Sequence, residues 1–422
     1  MKKLFSYLIN QQILLVINRL LLFINMAVSI YLSSSYLTVE QISIVLSILS
    51  LIGIFFIFDF GIVNTAQKKL LFIKKNLIKK TASSLYILSI INSTLITILF
   101  TTILQVIDLN SIFKFKESMN LLETKKGILL FILGFAFQLN NLFYEKITII
   151  TNNYRKFLFL STFSILISLC LIFIFLRNDS SISNIIFFNF VIHNIMIFLT
   201  FQILFFNLFD FRKITVNLVK KCFFDINQNL FKYFIISLSI IFCFGIDPYL
   251  ISYYYGIEST SGYTILQRIF QILIVPILIL NTPISKFYSI FEKKNKQINK
   301  NLIASILAIT LFLHIIFYSI LKLYGDHFVS VWTQNMIIIP SLMYFAYTLR
   351  SLSESYMINI TNYFNGIDKI KLQYYFSLIM VFLAIPLKIF FIRKFGIEYM
   401  IIYFYIAYIS LFLILLLLTY EE

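Results

Sequence analysis

The sequence is dominated by apolar runs of about 20 residues that recur along its whole length. At a rise of 1.5 Å per residue, such a run forms a helix about 30 Å long, which matches the hydrocarbon thickness of a bilayer. Of the 422 residues, 60% are hydrophobic and 13% are charged. Soluble globular domains of ordinary composition do not have this balance. The sequence therefore predicts an all-α integral membrane protein whose core is its helix bundle.

Twelve runs can be counted, and each is expected to cross the membrane once. The basic start at residues 1–3 is similar to that of a signal peptide. However, residues 10–12 interrupt the first apolar run and no small-residue cleavage site follows, so this run is expected to stay attached. The predicted spans are 12–35, 41–63, 81–107, 127–150, 157–176, 184–207, 232–255, 261–285, 301–324, 336–362, 372–392 and 397–419.

The basic residues in the connections predict the orientation of these spans. Twenty-two lysines and arginines lie on the side that holds both termini, against seven on the other side. The positive-inside rule then places both termini in the cytoplasm. The net charge of +17 reflects this asymmetry and attraction to anionic lipid, so nucleic-acid binding is not expected. The seven residues opposite are Lys114, Lys116, Lys125, Lys126, Arg177, Arg393 and Lys394.

The longest polar connection, residues 210–229, divides the spans into two sets of six. It predicts an N-terminal six-helix bundle at 1–209, a cytoplasmic linker at 210–229 and a C-terminal six-helix bundle at 230–422. Because six is even, both bundles enter the membrane in the same direction. The outer turn at 37–45 is similar to that at 256–265, since each is an acidic, hydroxyl-rich turn before an apolar helix. We therefore expect parallel repeats, an arrangement found in transporters with the substrate path between the halves.

Charged residues inside the spans are the candidate functional residues. Asp247 lies about eleven residues before the outer turn at Glu258, and Arg268 lies about ten residues after it. At the helical rise, both reach nearly the same depth, so a hairpin is expected to bring them together. A charge within a bilayer costs at least ~2.5 kcal/mol, and such residues usually mark a partner or a path for substrate.

Other charged residues repeat this pattern. Arg19 and Asp59 lie at similar distances from the first outer turn, so they are expected to meet as well. Arg350 and Glu354 are spaced i, i+4 and share one face of a helix. Lys388 lies within about 10 Å of the outer end of its span, where a lysine can extend its ammonium group to water.

Two interpretations of these charges remain open. They could form ion pairs that hold the bundle together, or the cations could face a water-filled cavity that receives an anionic substrate. Three charged sets spread over both halves favour the cavity. Within the fourth span, Gln138 and Asn141 offer amides that suit sugar hydroxyls, although hydrogen bonds between helices explain them equally well. The histidines and cysteines are scattered without metal-ligand spacing, so no metal or other cofactor is expected.

Two short motifs resemble a known family. One is the Asp-Phe-Gly sequence at 59–61, which closes the second span. The other is a D-x8-G-x6-Y-x4-R pattern formed by Asp247, Gly256, Tyr263 and Arg268. Together with twelve spans in 422 residues, they resemble the Wzx-type polysaccharide-unit (O-antigen) flippases of bacteria. This family is a branch of the multidrug/oligosaccharidyl-lipid/polysaccharide exporter superfamily.

The resemblance implies transport without catalysis. Two six-helix bundles would enclose a V-shaped cavity, through which an undecaprenyl-pyrophosphate-linked oligosaccharide passes from the cytoplasmic to the periplasmic leaflet, coupled to an ion. It also implies membrane lipids and the polymerase and chain-length proteins of lipopolysaccharide biosynthesis as partners. The expected substrate-binding residues are Arg19, Arg268, Arg350, Lys388, Gln138 and Asn141, and the expected ion-coupling residues are Asp59, Asp247 and Glu354.

Three alternatives differ in what the sequence should contain. A drug exporter of the same superfamily would prefer a cavity dominated by acidic groups, whereas the buried cations here at least equal the carboxylates. A lipid-II-type flippase handles the same headgroup chemistry and is harder to separate. A membrane glycan polymerase would need a long outer loop with catalytic residues, but the outer connection 108–126 is short. No Gly-x4-Gly-Lys-Ser/Thr loop is present, so the chain is not expected to be an enzyme that hydrolyses ATP.

The predicted orientation can be tested with single cysteines. In a background without the native Cys170, Cys222 and Cys243, Asn217→Cys should be cytoplasmic and Glu258→Cys periplasmic. An impermeant thiol reagent applied to intact cells should therefore label only the cysteine at 258. The reverse labelling pattern would overturn the orientation.

Overall fold

The structure is a computed structural model that describes most of the chain. It covers residues 2–55, 59, 62–63, 70, 77–110, 119–151, 153–175, 181–211, 214, 216–294, 296–367 and 369–421. Three predicted features lie wholly or partly outside these residues. They are positions 60–61 of the Asp-Phe-Gly motif, most of the basic connection 64–76, and positions 111–118 of the outer connection.

Helices account for nearly all of the described residues, which contain no β-strand. The predicted all-α class is therefore confirmed for this part of the chain. Two π-helical turns, Phe187–Val191 and Ile241–Gly245, interrupt the α-helices. The α-helices are α1 (Lys2–Ser34), α2 (Val39–Phe55), α3 (Ile78–Val106), α4 (Met119–Ile150), α5 (Tyr154–Phe175), α6 (Ile182–Ile186), α7 (Ile192–Phe205), α8 (Val216–Ile240), α9 (Asp247–Tyr255), α10 (Thr260–Lys294), α11 (Lys296–Trp332), α12 (Ser341–Gly366), α13 (Ile370–Phe395) and α14 (Ile397–Glu421).

Eight helical segments of the described chain are long and apolar enough to cross a membrane. A ninth is the pair Phe231–Gly245 and Asp247–Tyr255, which is bent by 43°. The protein is therefore a multi-pass membrane protein. The other three predicted spans coincide with α2, α10 and α12, so the total of twelve stays a prediction.

The boundary between the predicted ninth and tenth spans differs from the sequence expectation. α11 continues to Trp332, eight residues beyond the predicted end. Gln334 and Asn335 then adopt positive φ angles of 51° and 63°, which is a left-handed conformation that commonly ends helices. α12 begins only after Pro340, which has an extended ψ of 139°. The apolar residues of this connection thus belong to a non-helical segment.

The chain divides into two compact units, Met1–Ser237 and Leu238–Glu422. In the first unit, α1 packs against α5 and α3 packs against α4. Asn18 donates to the Ser161 hydroxyl at 2.9 Å, and Asn25 donates to the Ser168 hydroxyl at 3.2 Å. The seven-residue spacing on both helices repeats the same polar contact two turns apart, which fixes the register of α1 on α5. The domain limits 1–209 and 230–422 stay predictions.

In the second unit, α12 is the central element. It packs against α10, α11, α13 and α14, and α13 also packs against α14. The side chains of Tyr263, Tyr347 and Tyr405 are fully buried between these helices. A buried tyrosine combines a large apolar ring with a hydroxyl that needs a hydrogen-bond partner. The interior of this unit is therefore built to contain polar groups.

Candidate functional site

The candidate site begins at the bend between α8 and α9. The π-helical turn Ile241–Gly245 widens the helix by one residue just before Asp247. Pro248 follows at the start of α9 and has no N–H to donate. In a continuous α-helix, residue 248 would donate to the carbonyl group of Phe244, so this carbonyl is available to a side chain. Pro248 thus leaves a backbone carbonyl group without its helical donor close to Asp247.

The Asp247 carboxylate is fully buried and is held by three other helices. The Lys388 ammonium group on α13 donates to Oδ1 at 2.5 Å. The Tyr263 hydroxyl on α10 donates to Oδ2 at 2.7 Å. The Tyr405 hydroxyl on α14 lies 2.7 Å from both Oδ2 and the Cys243 carbonyl oxygen, so its single hydrogen serves two acceptors. Asp247 therefore connects α9 with α10, α13 and α14.

The sequence predicted that Lys388 could extend its ammonium group to water, but the structure buries it. Its side chain is 0% exposed and donates to Asp247 and to the Cys243 carbonyl group. The ammonium nitrogen also lies 4.4 Å from the centroid of the Phe404 ring, within cation–π range. A carboxylate, a free carbonyl and an aromatic face replace the hydration of the lysine, which explains why it stays inside.

Lys388, and not Arg268, is the charged partner of Asp247, so the predicted pair of Asp247 and Arg268 is wrong. Equal depth in the membrane could not identify the partner of Asp247, because Arg268 and Lys388 both lie at about its depth. Asp247 lies nine residues before Gly256, and Lys388 lies eight residues before Gly396. Both glycines end their helices with a positive φ angle. This shared distance from the helix end is the signal that could have identified Lys388.

Arg350 is buried on α12, with 3% of its surface exposed, and each of its nitrogens has a separate partner. Nε donates to the Tyr263 hydroxyl at 2.6 Å, and Nη2 donates to the carbonyl oxygen of Phe244 at 3.0 Å. Nη1 donates to Glu354 at 2.8 Å, so these two residues form an ion pair, which is one of the two interpretations that the sequence left open. The guanidinium carbon also lies 4.9 Å from the centroid of the Tyr347 ring.

These contacts join four charged groups into one chain. Glu354 accepts from Arg350, Arg350 donates to Tyr263, and Tyr263 donates to Asp247, which binds Lys388. The positive and negative charges balance within the chain. The side chain of Glu354 is 27% exposed, whereas those of Asp247 and Lys388 are 0% exposed. Glu354 is therefore the carboxylate of this network that has exposed surface.

Arg268 lies beside this network on α10 but is not part of it. Only 6% of its surface is exposed, and among the described residues its Nε and Nη2 atoms have no hydrogen-bond partner. The hydroxyl of the neighbouring Tyr347 is also unpaired within the described part of the chain. Burying N–H donors of a guanidinium group without hydrogen-bond acceptors is costly, because these donors have lost their hydration. Arg268 is therefore a buried charged residue with unsatisfied hydrogen-bond donors in the second unit.

In the first unit, the predicted pair of Arg19 and Asp59 does not form among the described residues. Arg19 has an exposed side chain on α1. Asp59 is partly buried, and both of its carboxylate oxygens accept from the backbone N–H of Val63, at 3.2 and 3.3 Å. Matching distance from a turn predicts the depth of a residue and leaves its direction around the helix undetermined. The roles predicted for these two residues stay predictions.

The two amides predicted to bind sugar have different environments. The amide nitrogen of Asn141 donates to the backbone carbonyl of Asn194 at 2.9 Å, so it connects α4 with α7. This contact matches the alternative interpretation of a hydrogen bond between helices. The Oδ1 atom of Asn141 and the Oε1 atom of Gln138 have no hydrogen-bond partner within the described chain. Both oxygens remain capable of accepting from a hydroxyl group.

Comparisons of the sequence with known proteins identify no relative. No protein-family model matches the chain, and the curated proteins give no significant match. Comparison of the structure does find similar folds. The chain superposes on the lipid II flippase MurJ in an inward closed conformation with a TM-score of 0.71 and 18% identity, over 98% of this chain and 88% of that one.

Two further structures are similar over nearly the whole chain. One is an inward-facing multidrug resistance MATE family transporter of the MOP superfamily, with a TM-score of 0.69, 14% identity, and 95% and 97% of the two chains covered. The other is a MOP superfamily transporter from Pyrococcus furiosus, with a TM-score of 0.65, 13% identity, and coverage of 97% and 94%. Its report describes a binding pocket of reverse polarity. This chain therefore has the fold of the MOP superfamily transporters.

The ion pair of Asp247 and Lys388 can be tested by a double-mutant cycle. Asp247→Asn or Lys388→Met alone leaves one buried charge without its partner, which should cost about 3 to 5 kcal/mol of stability. The double variant should recover much of this loss, as measured by thermal unfolding of the detergent-purified protein.

A matched cycle provides the control for this pair. Asp247→Asn combined with Arg268→Met should show only the sum of the two single effects, because these two residues are not paired. Lys322→Met, at an exposed lysine on α11, should have little effect. Single variants as stable as the wild type, or purely additive losses for Asp247 and Lys388, would contradict the assignment.

Proposed function

We propose that this protein is a flippase for undecaprenyl-pyrophosphate-linked oligosaccharide repeat units of O-antigen or capsule. It would move them from the cytoplasmic to the periplasmic leaflet of a bacterial inner membrane by alternating access. The MOP superfamily fold supports a transporter. The observation that carries the choice of substrate is the buried Arg268, whose Nε and Nη2 atoms have no hydrogen-bond partner among the described residues.

The unpaired atoms of Arg268 suit a pyrophosphate group. Nε and Nη2 form one edge of the planar guanidinium group, and their two N–H bonds point in the same direction. Such an edge donates two parallel hydrogen bonds to the oxygens of a phosphate or carboxylate. A lipid-linked sugar diphosphate also has a tail that can stay in lipid, while its charged head needs a polar enclosure. An anionic head would supply the partner that Arg268 lacks.

The other candidate residues take different parts in this proposal. Arg350 and Lys388 are compensated by Glu354 and Asp247, so they would hold the network beside Arg268. Arg19 is exposed and would attract the anionic head. The unpaired oxygens of Gln138 and Asn141 would accept from sugar hydroxyls.

A lipid-II-type flippase is the second candidate, and its specific support is the similarity to MurJ. Lipid II carries the same pyrophosphate linkage, so Arg268 suits both substrates. The sugars differ, and the two candidates separate when both lipids are offered to the same vesicles. Preference for lipid II over lipid-linked oligosaccharide would favour this candidate. A cationic drug is a poorer ligand, because the unpaired buried side chain is itself a cation.

Arg268 should be required for transport but not for folding. Because its charge is buried without a partner, Arg268→Met should keep or raise the thermal unfolding temperature. The same change should lower the flipping rate on the order of 10-fold to 100-fold, since hydrogen bonds to a charged group are lost. Arg268→Lys keeps the charge without the two-bond edge and should lie in between.

The measurement uses reconstituted vesicles that contain fluorescent lipid-linked oligosaccharide, with protein amounts matched. Lys220→Ala, at an exposed lysine, controls for general loss of charge. Unchanged flipping in Arg268→Met would disprove the cationic site while leaving the fold assignment intact. A loss of stability equal to that of Arg350→Met would show that Arg268 is structural.

Ion coupling is proposed to involve Glu354, since Asp247 is enclosed by three donors. If transport uses a proton or sodium gradient, Glu354→Gln should abolish the dependence of the flipping rate on that gradient. Glu123→Gln is the matched control, because Glu123 is 30% exposed and pairs with Lys126 at 3.0 Å. Dependence that persists in Glu354→Gln, or a wild-type rate insensitive to both gradients, would refute the coupling.

A further inference from the structure

An open groove lies along the C-terminal half of α13, on the side of the helix away from Lys388. It has a volume of about 610 Å³ and is lined by Pro386, Ile389, Phe390, Arg393 and Lys394. Phe390 is 52% exposed. The helix is long and apolar enough to cross a membrane, so its exposed face is expected to meet lipid.

The lining of the groove changes from apolar to basic along the helix. Pro386, Ile389 and Phe390 form the apolar part. Arg393 and Lys394 lie in the last helical turn, about 10 Å further along the axis from Pro386. A membrane lipid has the same order of groups, with an acyl chain that leads to an anionic phosphate at the membrane surface.

The two cations are held in place without being neutralised. The Nε atom of Arg393 donates to the Tyr254 hydroxyl at 2.9 Å, and its guanidinium carbon lies 5.4 Å from that ring centroid. Lys394 lies 5.6 Å from the ring of Phe390 and 5.3 Å from that of Phe395. Neither cation forms an ion pair with a carboxylate of the described chain. Two cations that are positioned by aromatic side chains and lack a carboxylate partner, at the end of an apolar groove, suit an anion with an apolar tail.

We propose that this groove binds an anionic phospholipid of the surrounding leaflet. The acyl chain would lie along Pro386, Ile389 and Phe390, and the phosphate would contact Arg393 and Lys394. The partial negative charge at the end of a helix also favours basic residues there. That effect does not account for the apolar residues that line the open groove beside them. The open shape favours a lipid from the bilayer over a substrate that must be enclosed for transport.

Such a lipid would act on the candidate site through two helices. Arg393 lies on α13, and its partner Tyr254 lies on α9. The neighbouring Tyr255 hydroxyl also donates to the Ile392 carbonyl oxygen at 3.2 Å, which again joins α9 to α13. These are the helices that carry Asp247 and Lys388. A phosphate on Arg393 therefore adds a contact at the end of the same helix pair.

The proposal can be tested by fluorescence quenching at the groove. Trp332 is the single tryptophan of the sequence, so Trp332→Phe with Phe390→Trp places one fluorophore on the groove wall. The full-length protein is reconstituted in phosphatidylcholine, and brominated phosphatidylglycerol or brominated phosphatidylcholine is added. We expect brominated phosphatidylglycerol to be preferred about 10-fold, because two basic residues face the headgroup. Arg393→Gln with Lys394→Gln should abolish this preference.

Matched variants separate this site from general electrostatic attraction. Lys125→Gln with Lys126→Gln removes two basic residues of the first unit that are predicted to lie on the same side of the membrane. This control should keep the preference for phosphatidylglycerol. Equal quenching by both lipids, or a preference that survives in the groove variant, would overturn the proposal. Equal losses in both double variants, or selective displacement by undecaprenyl phosphate at equimolar concentration, would also overturn it.

Discussion

The buried charge of Asp247 is the constraint on which the second unit depends. A carboxylate without water around it must receive compensating charge and hydrogen bonds from the protein, or its burial is prohibitively costly. Here the compensation comes from Lys388, Tyr263 and Tyr405, which lie on three different helices. The same requirement therefore fixes how α9 packs against α10, α13 and α14. The bend before Asp247 contributes as well, since it exposes the carbonyl groups of Cys243 and Phe244.

Arg268 and Arg350 show why burial alone does not define a functional residue. Both arginines are almost fully buried in the same unit. Every nitrogen of Arg350 has a protein partner, so its charge is already used in holding the helices together. Two nitrogens of Arg268 have none within the described chain. Strained or unsatisfied groups persist where they serve a function, and an anionic ligand would satisfy this one. The network of Arg350 would then keep Arg268 in position.

The sequence predicted some features of the site and not others, for definable reasons. The length of the apolar runs determines that they form membrane helices, and the i, i+4 spacing determines that Arg350 meets Glu354. Depth alone could not choose the partner of Asp247, because Arg268 and Lys388 lie at similar depths. Depth follows from the rise per residue, whereas contact also depends on which helices are neighbours and which face each presents. For Arg19 and Asp59, the same argument from depth failed because the direction of the side chains was unknown.

α13 joins the two sites proposed for the second unit. Ala384, Lys388 and Ile392 are each 0% exposed and are spaced four residues apart, so they form the inner face of the helix. Pro386, Ile389, Phe390 and Arg393 lie on the outer side and line the groove. The same helix thus carries the counter-charge of Asp247 on its inner face and the basic groove on its outer face. A lipid bound in that groove would restrain the helix that supplies this counter-charge.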